Sequence, residues 1–166
     1  DTDEASIEKL RQRIEGAWLG HRVTAVKASL FDTGFAGESF DILWEEGVLH
    51  TLVSSKSLPA CRRLLKPEGF LVMHETVAWF EGTREQIEAL GFDVFDQVML
   101  PRHVWWTDYY APLEARIRAF REDHGPEAAA SELAKHEREI AMVKADPGRF
   151  DCGFFIVRKA GLAASP

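Results

Sequence analysis

The sequence has little cysteine and no long hydrophobic run. Its two cysteines, Cys61 and Cys152, stand far apart among 166 residues without CxxC or CxxH spacing, so neither a disulfide framework nor a structural zinc site is predicted. No stretch reaches the roughly 18 apolar residues of a membrane span, and no signal peptide is found. We therefore expect a cytoplasmic protein without a membrane partner.

Several catalytic signatures are missing as well. The sequence contains no GxSxG turn, which would hold the serine of an α/β-hydrolase, and no Walker-type phosphate loop. Glu132, His136 and Glu139 share one helical face but have no fourth ligand. We interpret them as a solvated charged stripe and predict no metal site.

Positive charge is scarce relative to negative charge. Lys and Arg number 20 against 27 Asp and Glu, for a formal net charge of -7, and an acidic chain of this kind repels nucleic acid and anionic lipid. The composition, 46% hydrophobic and 28% charged, is typical of one soluble globular domain over residues 1–166. We expect a full hydrophobic core and no nucleic-acid partner.

The chain opens with the pattern of an amphipathic helix. Asp3 or Ser6 supplies a capping side chain, and the helical spacing is carried by Ile7, Leu10, Ile14 and Trp18. A helix this soon after the acidic residue Asp1 indicates a strand upstream of it.

Short apolar runs and helical patterns alternate along the rest of the chain. The pattern predicts helices over 59–65 and 83–90, and strands over 21–31, 40–44, 69–75, 92–100 and 152–159. The strand at 40–44 has the composition of one buried on both faces. This alternation favours an α/β fold with a parallel sheet.

Residues 112–145 break the alternation with a long helical block interrupted at Gly125 and Pro126. We predict a helical hairpin inserted before the last strand, and a frayed tail at 161–166.

The motifs together resemble a known family. The segments KASLFDTGFAGESFDILWEEGVLH and LLKPEGFLVMHE are similar to those of S-adenosylmethionine-dependent methyltransferases with a Rossmann-like sheet, in the small-molecule branch near the quinone-biosynthesis enzymes. The Glu46-Gly47 pair and the aromatic segment WWTDYYAPLE carry the same resemblance. It implies methyl transfer from S-adenosylmethionine to a small-molecule acceptor.

The resemblance also implies a set of cofactor-binding residues. Asp1, followed by Thr2, takes the place of the acid that binds the ribose hydroxyls, and Trp44 belongs to the matched motif. Ser29 stands where the family usually has an acid for the adenine amino group, which weakens that bond, and Leu30 supplies a backbone N–H. The alternatives are that Asp1 begins a turn and that Leu30 is core.

The family's glycine-rich turn after the first strand has no counterpart here. The GFAG segment, 34–37, follows a different strand and lacks the spacing. We expect that the sheet of this chain lacks its first strand and that the chain is a fragment. The alternative is a genuine truncation that binds no cofactor.

Candidate catalytic and substrate residues follow the fourth and fifth family strands, whose carboxyl ends face the transferred methyl. We assign Glu46 and His50 to catalysis, and Glu46, Trp79, Tyr109 and Tyr110 to the substrate. The alternative for His50 is a structural residue at a helix start or in a hydrogen bond. The aromatic residues are interpreted equally as packing between helices and sheet. We interpret Glu45 as a residue that faces solvent or supports the site from behind. His74 and Glu75 end a strand and are interpreted either as turn residues or as catalytic residues.

Two other functions fit the same pattern. A non-catalytic module would self-associate, as a homodimer, through the helices of 112–145. A nicotinamide-dependent dehydrogenase would also use an acid after its second strand.

Overall fold

A four-stranded sheet forms the centre of the structure, a computed structural model that describes residues 1–161. Its strands are β1 (Phe40–Glu46), β2 (Leu65–Thr76), β3 (Phe92–Met99) and β4 (Cys152–Lys159). Their order across the sheet is β1-β2-β4-β3. β1 and β2 are parallel, whereas β4 is antiparallel to both of its neighbours. The expectation of a wholly parallel sheet is therefore wrong for β4, which runs back between β2 and β3.

Five α-helices connect or precede these strands. They are α1 (Glu4–Gly16), α2 (Ser54–Leu64), α3 (Val77–Ala89), α4 (Ala111–His124) and α5 (Ala130–Ala145). Short turns of 3-10 helix cover Leu49–Thr51 and Pro147–Phe150, and a π-helical turn covers Trp106–Tyr110.

The hydrophobic core lies where α2 and α3 pack against one face of the sheet. Phe80 of α3 and Phe155 of β4 are both fully buried, with parallel rings whose centroids are 4.0 Å apart. Around this pair the core contains Leu58, Cys61, Leu71, Met73, Ile87, Phe92 and Val157. Residues two apart in a strand share a face, which is why alternate positions of β2 and β4 reach this cluster.

The opposite face of β1 is open to solvent. Ile42 and Trp44 are 57% and 61% exposed, so the prediction that 40–44 is buried on both faces is wrong. β1 is an edge strand of the described sheet, and no described element covers these two side chains. Only the face of Leu43 packs against the core.

For α2 and α3, the predicted carboxyl-terminal ends agree with the structure more closely than the predicted first residues. α3 ends before Gly91, which has a φ of +74°, as predicted. It begins at Val77, before the predicted residue 83, because the Thr76 hydroxyl accepts a hydrogen bond from the Trp79 N–H at 3.2 Å. α2 likewise begins at Ser54 and includes Pro59, which lies in its second turn.

Residues 21–31 do not form the predicted strand. Within residues 1–161 the only bridge in this segment joins Ser29 to Asp32, because the segment has no neighbouring strand with which to pair. In α1, capping by Asp3 is confirmed by a 2.8 Å hydrogen bond from the Ser6 N–H. Ile7 and Ile14 are buried as expected, but Leu10 and Trp18 of the predicted stripe are exposed.

α4 and α5 stand between β3 and β4 and are joined at Gly125, whose φ is +95°. Two ion pairs connect them, Lys144 to Glu114 at 2.6 Å and Arg121 to Glu137 at 3.0 Å. The division of the chain into one domain with an insertion at 112–145 stays a prediction. Of the tail predicted at 161–166, residues 162–166 lie outside the described residues.

Candidate functional site

A cavity of about 730 Å³ opens at the carboxyl ends of β1 and β2. In open α/β sheets ligands bind at this edge, and the volume lies in the range of small-molecule sites. The side chains come from the strand ends, the start of α3, the π-helical turn and the start of β4. The lining residues are Glu46, Gly47, His50, His74, Glu75, Thr76, Trp79, Trp105, Tyr110, Phe150 and Cys152.

A buried carboxylate holds one of the two histidines of the cavity. Glu75, whose side chain is 1% exposed, accepts a hydrogen bond from the His50 backbone N–H at 2.9 Å and lies 2.9 Å from His50 Nδ1. Because the carboxylate accepts at Nδ1, the proton of the neutral ring is held on that nitrogen. The other ring nitrogen, Nε2, is then free to accept a proton.

A second carboxylate lies behind this pair. Glu45 accepts hydrogen bonds from the backbone N–H groups of Val48 and Leu49, and its Oε2 is buried without a partner among the described residues. Burial raises the pKa of the Glu45 carboxyl, and the nearby charge of Glu75 raises it further. Of the two interpretations of Glu45, the solvent-facing one is therefore wrong, because its carboxylate binds the backbone at the start of the next helical turn. A supporting position behind the site agrees with these contacts.

Aromatic rings form the other side of the cavity. The His74 ring is stacked between Phe154, at 4.8 Å, and Trp105, at 6.1 Å. His74 Nε2 is buried and has no hydrogen-bond partner among the described residues. Tyr110 continues the surface, with its ring centroid 6.3 Å from that of Phe150. These stacks hold the ring orientations on the aromatic side of the cavity.

Two polar groups at the aromatic side are kept neutral. The Trp105 indole N–H lies 3.1 Å from the Cys152 Sγ, and burial raises the pKa of the Cys152 thiol. Burial also raises the pKa of the Tyr110 phenol. Neither group therefore adds charge to the cavity at neutral pH.

The structure brings most of the predicted substrate and catalytic residues to one place. Glu46, His50, Trp79 and Tyr110 all line the cavity. Tyr109 does not line it and lies against Tyr110, with the ring centroids 4.9 Å apart. The roles of these residues stay predictions.

The predicted cofactor residues form a separate group. The Ala28 N–H donates to the Asp1 carbonyl at 2.9 Å, which places the start of the chain beside Ser29 and Leu30. None of these residues, nor Thr2, lines the cavity. Asp1 Oδ1 accepts the Asp3 N–H at 2.9 Å, which fits the turn alternative, while Leu30 packs against the core.

Trp44 lies in sequence between the predicted cofactor residues and the cavity residues, and it contacts the cavity residue Glu46. Its indole N–H donates to Glu46 Oε1 at 2.8 Å, and its ring centroid lies 5.4 Å from that of Phe154. Trp44 itself does not line the cavity.

Sequence reasoning identified the site only in part. Glu75 was weighed both as a turn residue and as a catalytic residue, because a carboxylate ends an apolar strand there, but its pairing with His50 was not predicted. Its partner is 25 positions earlier in the chain, and only the pairing of Glu46 with His74 between β1 and β2 brings the two together. No sequence motif indicated Phe150 and Cys152 as site residues. They line the cavity because β4 lies beside β2 in the sheet.

A second cavity, of about 680 Å³, lies between α4 and α5. Its charged side chains include the paired groups of Lys144 with Glu114 and Arg121 with Glu137. Because these four charges are paired with one another, we place the functional site at the sheet edge.

Two further searches concern residues 1–161. No group of three or more His, Cys, Asp or Glu side chains is placed to hold a metal ion there. No described helix has the length and apolarity that crossing a membrane requires.

The described chain has a mixed α/β fold that matches Rossmann-like methyltransferase structures. The family described as methyltransferase domain matches residues 1–73. This match confirms the resemblance of the chain to S-adenosylmethionine-dependent methyltransferases. A Haemophilus influenzae protein, described as uncharacterized, is 31% identical over 80 residues, which are 46% of this chain and 32% of that protein.

Solved structures confirm the fold class. The cyclase SpnF is 16% identical with a TM-score of 0.75, over 97% of this chain and 65% of that chain. A methyltransferase from Geobacter sulfurreducens, in complex with S-adenosylhomocysteine, is 17% identical with a TM-score of 0.62, over 95% of this chain and 72% of that chain. The chain thus spans about a third of the Haemophilus protein and under two thirds of SpnF. Because SpnF is a cyclase, the shared fold does not by itself fix the reaction.

Proposed function

We propose that this protein transfers a methyl group from S-adenosylmethionine to a small molecule bound in the cavity. The observation that supports this proposal best is the His50–Glu75 pair, which sets a proton-accepting nitrogen at the carboxyl edge of a methyltransferase-type sheet. The family match over residues 1–73 supports the same function.

The residues proposed for the cofactor suit its chemistry. The exposed Asp1 carboxylate has one oxygen bonded to the Asp3 N–H, and its second oxygen is available to a ribose diol. The Leu30 N–H donates to no acceptor in the described residues, and it is available to an adenine ring nitrogen. When bound, S-adenosylmethionine supplies a methyl group already activated by the positive charge on its sulfur.

The protein then contributes in two ways: it positions the acceptor atom against the methyl group, and it removes a proton from the acceptor. Holding an acceptor atom aligned at about 3–3.5 Å is worth roughly 7–11 kcal/mol of the barrier. His50 removes a proton from the acceptor through Nε2, and a positioned base contributes about 10² to 10⁴ fold. Glu75 holds the His50 ring and stabilises the positive charge that the ring gains.

Glu46 and the aromatic residues orient the acceptor. Glu46 Oε1 is held by the Trp44 indole N–H, which leaves Oε2 to bind a donor on the acceptor. Trp79 and Tyr110 line the same cavity and exclude water from the reacting atoms. Tyr109 supports Tyr110 from behind.

The test is binding of S-adenosylhomocysteine to the full chain, measured by calorimetry and by thermal shift. We expect saturable binding, reduced at least tenfold by Asp1→Asn, with no change for the matched control Asp123→Asn, an exposed acid on α4. Absence of heat and of any thermal shift at millimolar ligand would overturn the proposal in favour of the non-catalytic module. A cytoplasmic location and a homodimer through α4 and α5 stay predictions, and light scattering checks the dimer.

A further inference from the structure

We infer that the acceptor is a small organic cation, an amine protonated in solution, which the cavity recognises by carboxylates and aromatic rings. This inference rests on the proposed function and specifies its substrate class.

The charges of the cavity have one sign. Two carboxylates, Glu46 and Glu75, line it, and no Lys or Arg is among its described lining residues. The arginines nearest in sequence are Arg149, which is exposed, and Arg102, whose side chain is 86% exposed and lies 3.9 Å from Asp151. A carboxylate or phosphate on the acceptor would lose part of its hydration in the cavity without gaining a Lys or Arg partner among the described lining residues, which costs free energy. A cation on the acceptor would instead find carboxylates as partners.

The two carboxylates are differently engaged. Glu75 is fully occupied by the backbone N–H and Nδ1 of His50, so it stabilises positive charge in the cavity only at a distance. Glu46 has one oxygen bonded to Trp44 and one without a partner in the described residues. Glu46 is therefore the group that contacts the cation directly.

The remaining surface is aromatic. Trp79, Trp105, Tyr110 and Phe150 line the same cavity as Glu46. Indole and phenol rings attract ammonium groups through their negative faces, most strongly when water is excluded. The neighbouring segment already shows this contact, since the Lys144 ammonium lies 5.3 Å from the ring centroid of Trp106. Aromatic rings beside a free carboxylate are the composition that recognises amines.

A protonated amine also gives the His50–Glu75 pair a defined task. The amine nitrogen loses its N–H proton to His50 Nε2 and thereby regains its lone pair. That lone pair forms the new N–C bond to the methyl carbon, and the C–S bond breaks with its electron pair left on the sulfur. The product amine carries the methyl group and the positive charge, and the sulfur becomes a neutral thioether.

The experiment compares probes of one shape and different charge, with the full chain. Choline is titrated against its neutral carbon isostere dimethylbutanol and against the anion dimethylbutanoate, by calorimetry and by tryptophan fluorescence. Each titration is repeated with saturating S-adenosylhomocysteine. We expect choline to bind at least tenfold more tightly than either isostere, and to bind with S-adenosylhomocysteine present.

Two variants locate the site. Glu46→Gln is expected to weaken choline about tenfold while leaving dimethylbutanol unchanged, and Trp79→Leu is expected to weaken choline by a similar factor. The matched controls are Glu81→Gln, on the exposed side of α3, and Trp18→Leu, a tryptophan that is 87% exposed. Neither control variant is expected to change the binding of choline. Melting curves confirm that each variant is folded before it is titrated.

The outcomes separate this inference from the proposed function. If S-adenosylhomocysteine binds and choline shows no preference over its isosteres, the substrate class is wrong and the methyltransferase proposal stands. If S-adenosylhomocysteine displaces choline, the cation site belongs to the cofactor and the inference fails. If choline is preferred but S-adenosylhomocysteine does not bind, the methyltransferase proposal fails, and with it the acceptor role.

Discussion

The carboxylate of Glu75 accepts hydrogen bonds from both the backbone and the ring of His50, each at 2.9 Å. One buried acid thus fixes the position of the residue and the rotation of its imidazole. Glu75 comes from the end of β2 and His50 from the turn after β1, so the parallel pairing of these strands sets the geometry.

Removing either member of this pair should impair turnover more than binding. We expect His50→Gln to lower kcat about 10² to 10⁴ fold with an amine acceptor, and Glu75→Gln to lower it less, because the ring remains in place. The exposed acid Glu88, paired with Arg84 on α3, provides the control Glu88→Gln. Steady-state kinetics that show a change in KM alone would contradict a role in proton transfer.

Glu45 should make stability depend on pH in an unusual direction. Its pKa is raised by burial, so the favourable contribution of its neutral form is complete below the unfolded pKa and is lost as the pH rises through the folded one. Glu45→Gln keeps an acceptor for Val48 and Leu49. We therefore expect it to raise the Tm at about pH 8, and to raise it less at about pH 4.

The control for this effect has the opposite sign. Asp41 lies 2.8 Å from the Lys66 ammonium, and this contact lowers the Asp41 pKa. Asp41→Asn should slightly lower the Tm near neutral pH and lose its effect in acid. An equal gain for Glu45→Gln at both pH values, measured by calorimetry, would count against a raised pKa.

The Phe80–Phe155 stack should be the most sensitive point of the core. Both rings are fully buried and face each other at 4.0 Å, and Phe80→Ala leaves a cavity between α3 and β4. We expect a loss of about 3–5 kcal/mol in the free energy of unfolding, measured by urea denaturation. Phe95→Ala, at a phenylalanine that is 60% exposed, should cost much less; similar losses for both would exclude this account of the core.

Two glycines of the same region should respond with opposite signs. Gly91 has a φ of +74°, so Gly91→Ala should destabilise the protein by about 1–2 kcal/mol. Gly82 lies inside α3 with no atom within 4 Å of an added Cβ, so Gly82→Ala should stabilise it by about 0.5–1 kcal/mol. Thermal melts of the two single variants measure these changes in stability. A higher Tm for Gly91→Ala would contradict the positive φ of Gly91.

Local signals account for the parts of the fold that the sequence predicted well. The strand at 69–75 is indicated by a short apolar run that follows the Lys66–Gly69 breaker. Gly91 ends α3 because its backbone conformation disfavours other residues. The capping by Asp3 is equally local. Such features need no knowledge of distant partners.

Features that depend on distant partners were predicted poorly. Ile42 and Trp44 have the composition of a doubly buried strand, yet exposure depends on what covers them. Residues 21–31 favour a strand, but a strand needs a neighbour. The sequence indicated Glu46 and His50 as site residues. The contact of Glu75 with His50 could not be predicted, because it follows from the pairing of β1 with β2.

The position of β4 has a consequence for the order of events during synthesis. The strand that emerges last from the ribosome among the four lies in the middle of the sheet, and β2 and β3 are joined only through it. Until residues 152–159 are released, β3 has no partner and the rings opposite Phe155 stay uncovered. Sheet completion therefore waits for the release of residues 152–159, and β2 and β3 stay unconnected in the nascent chain until the central strand is in place.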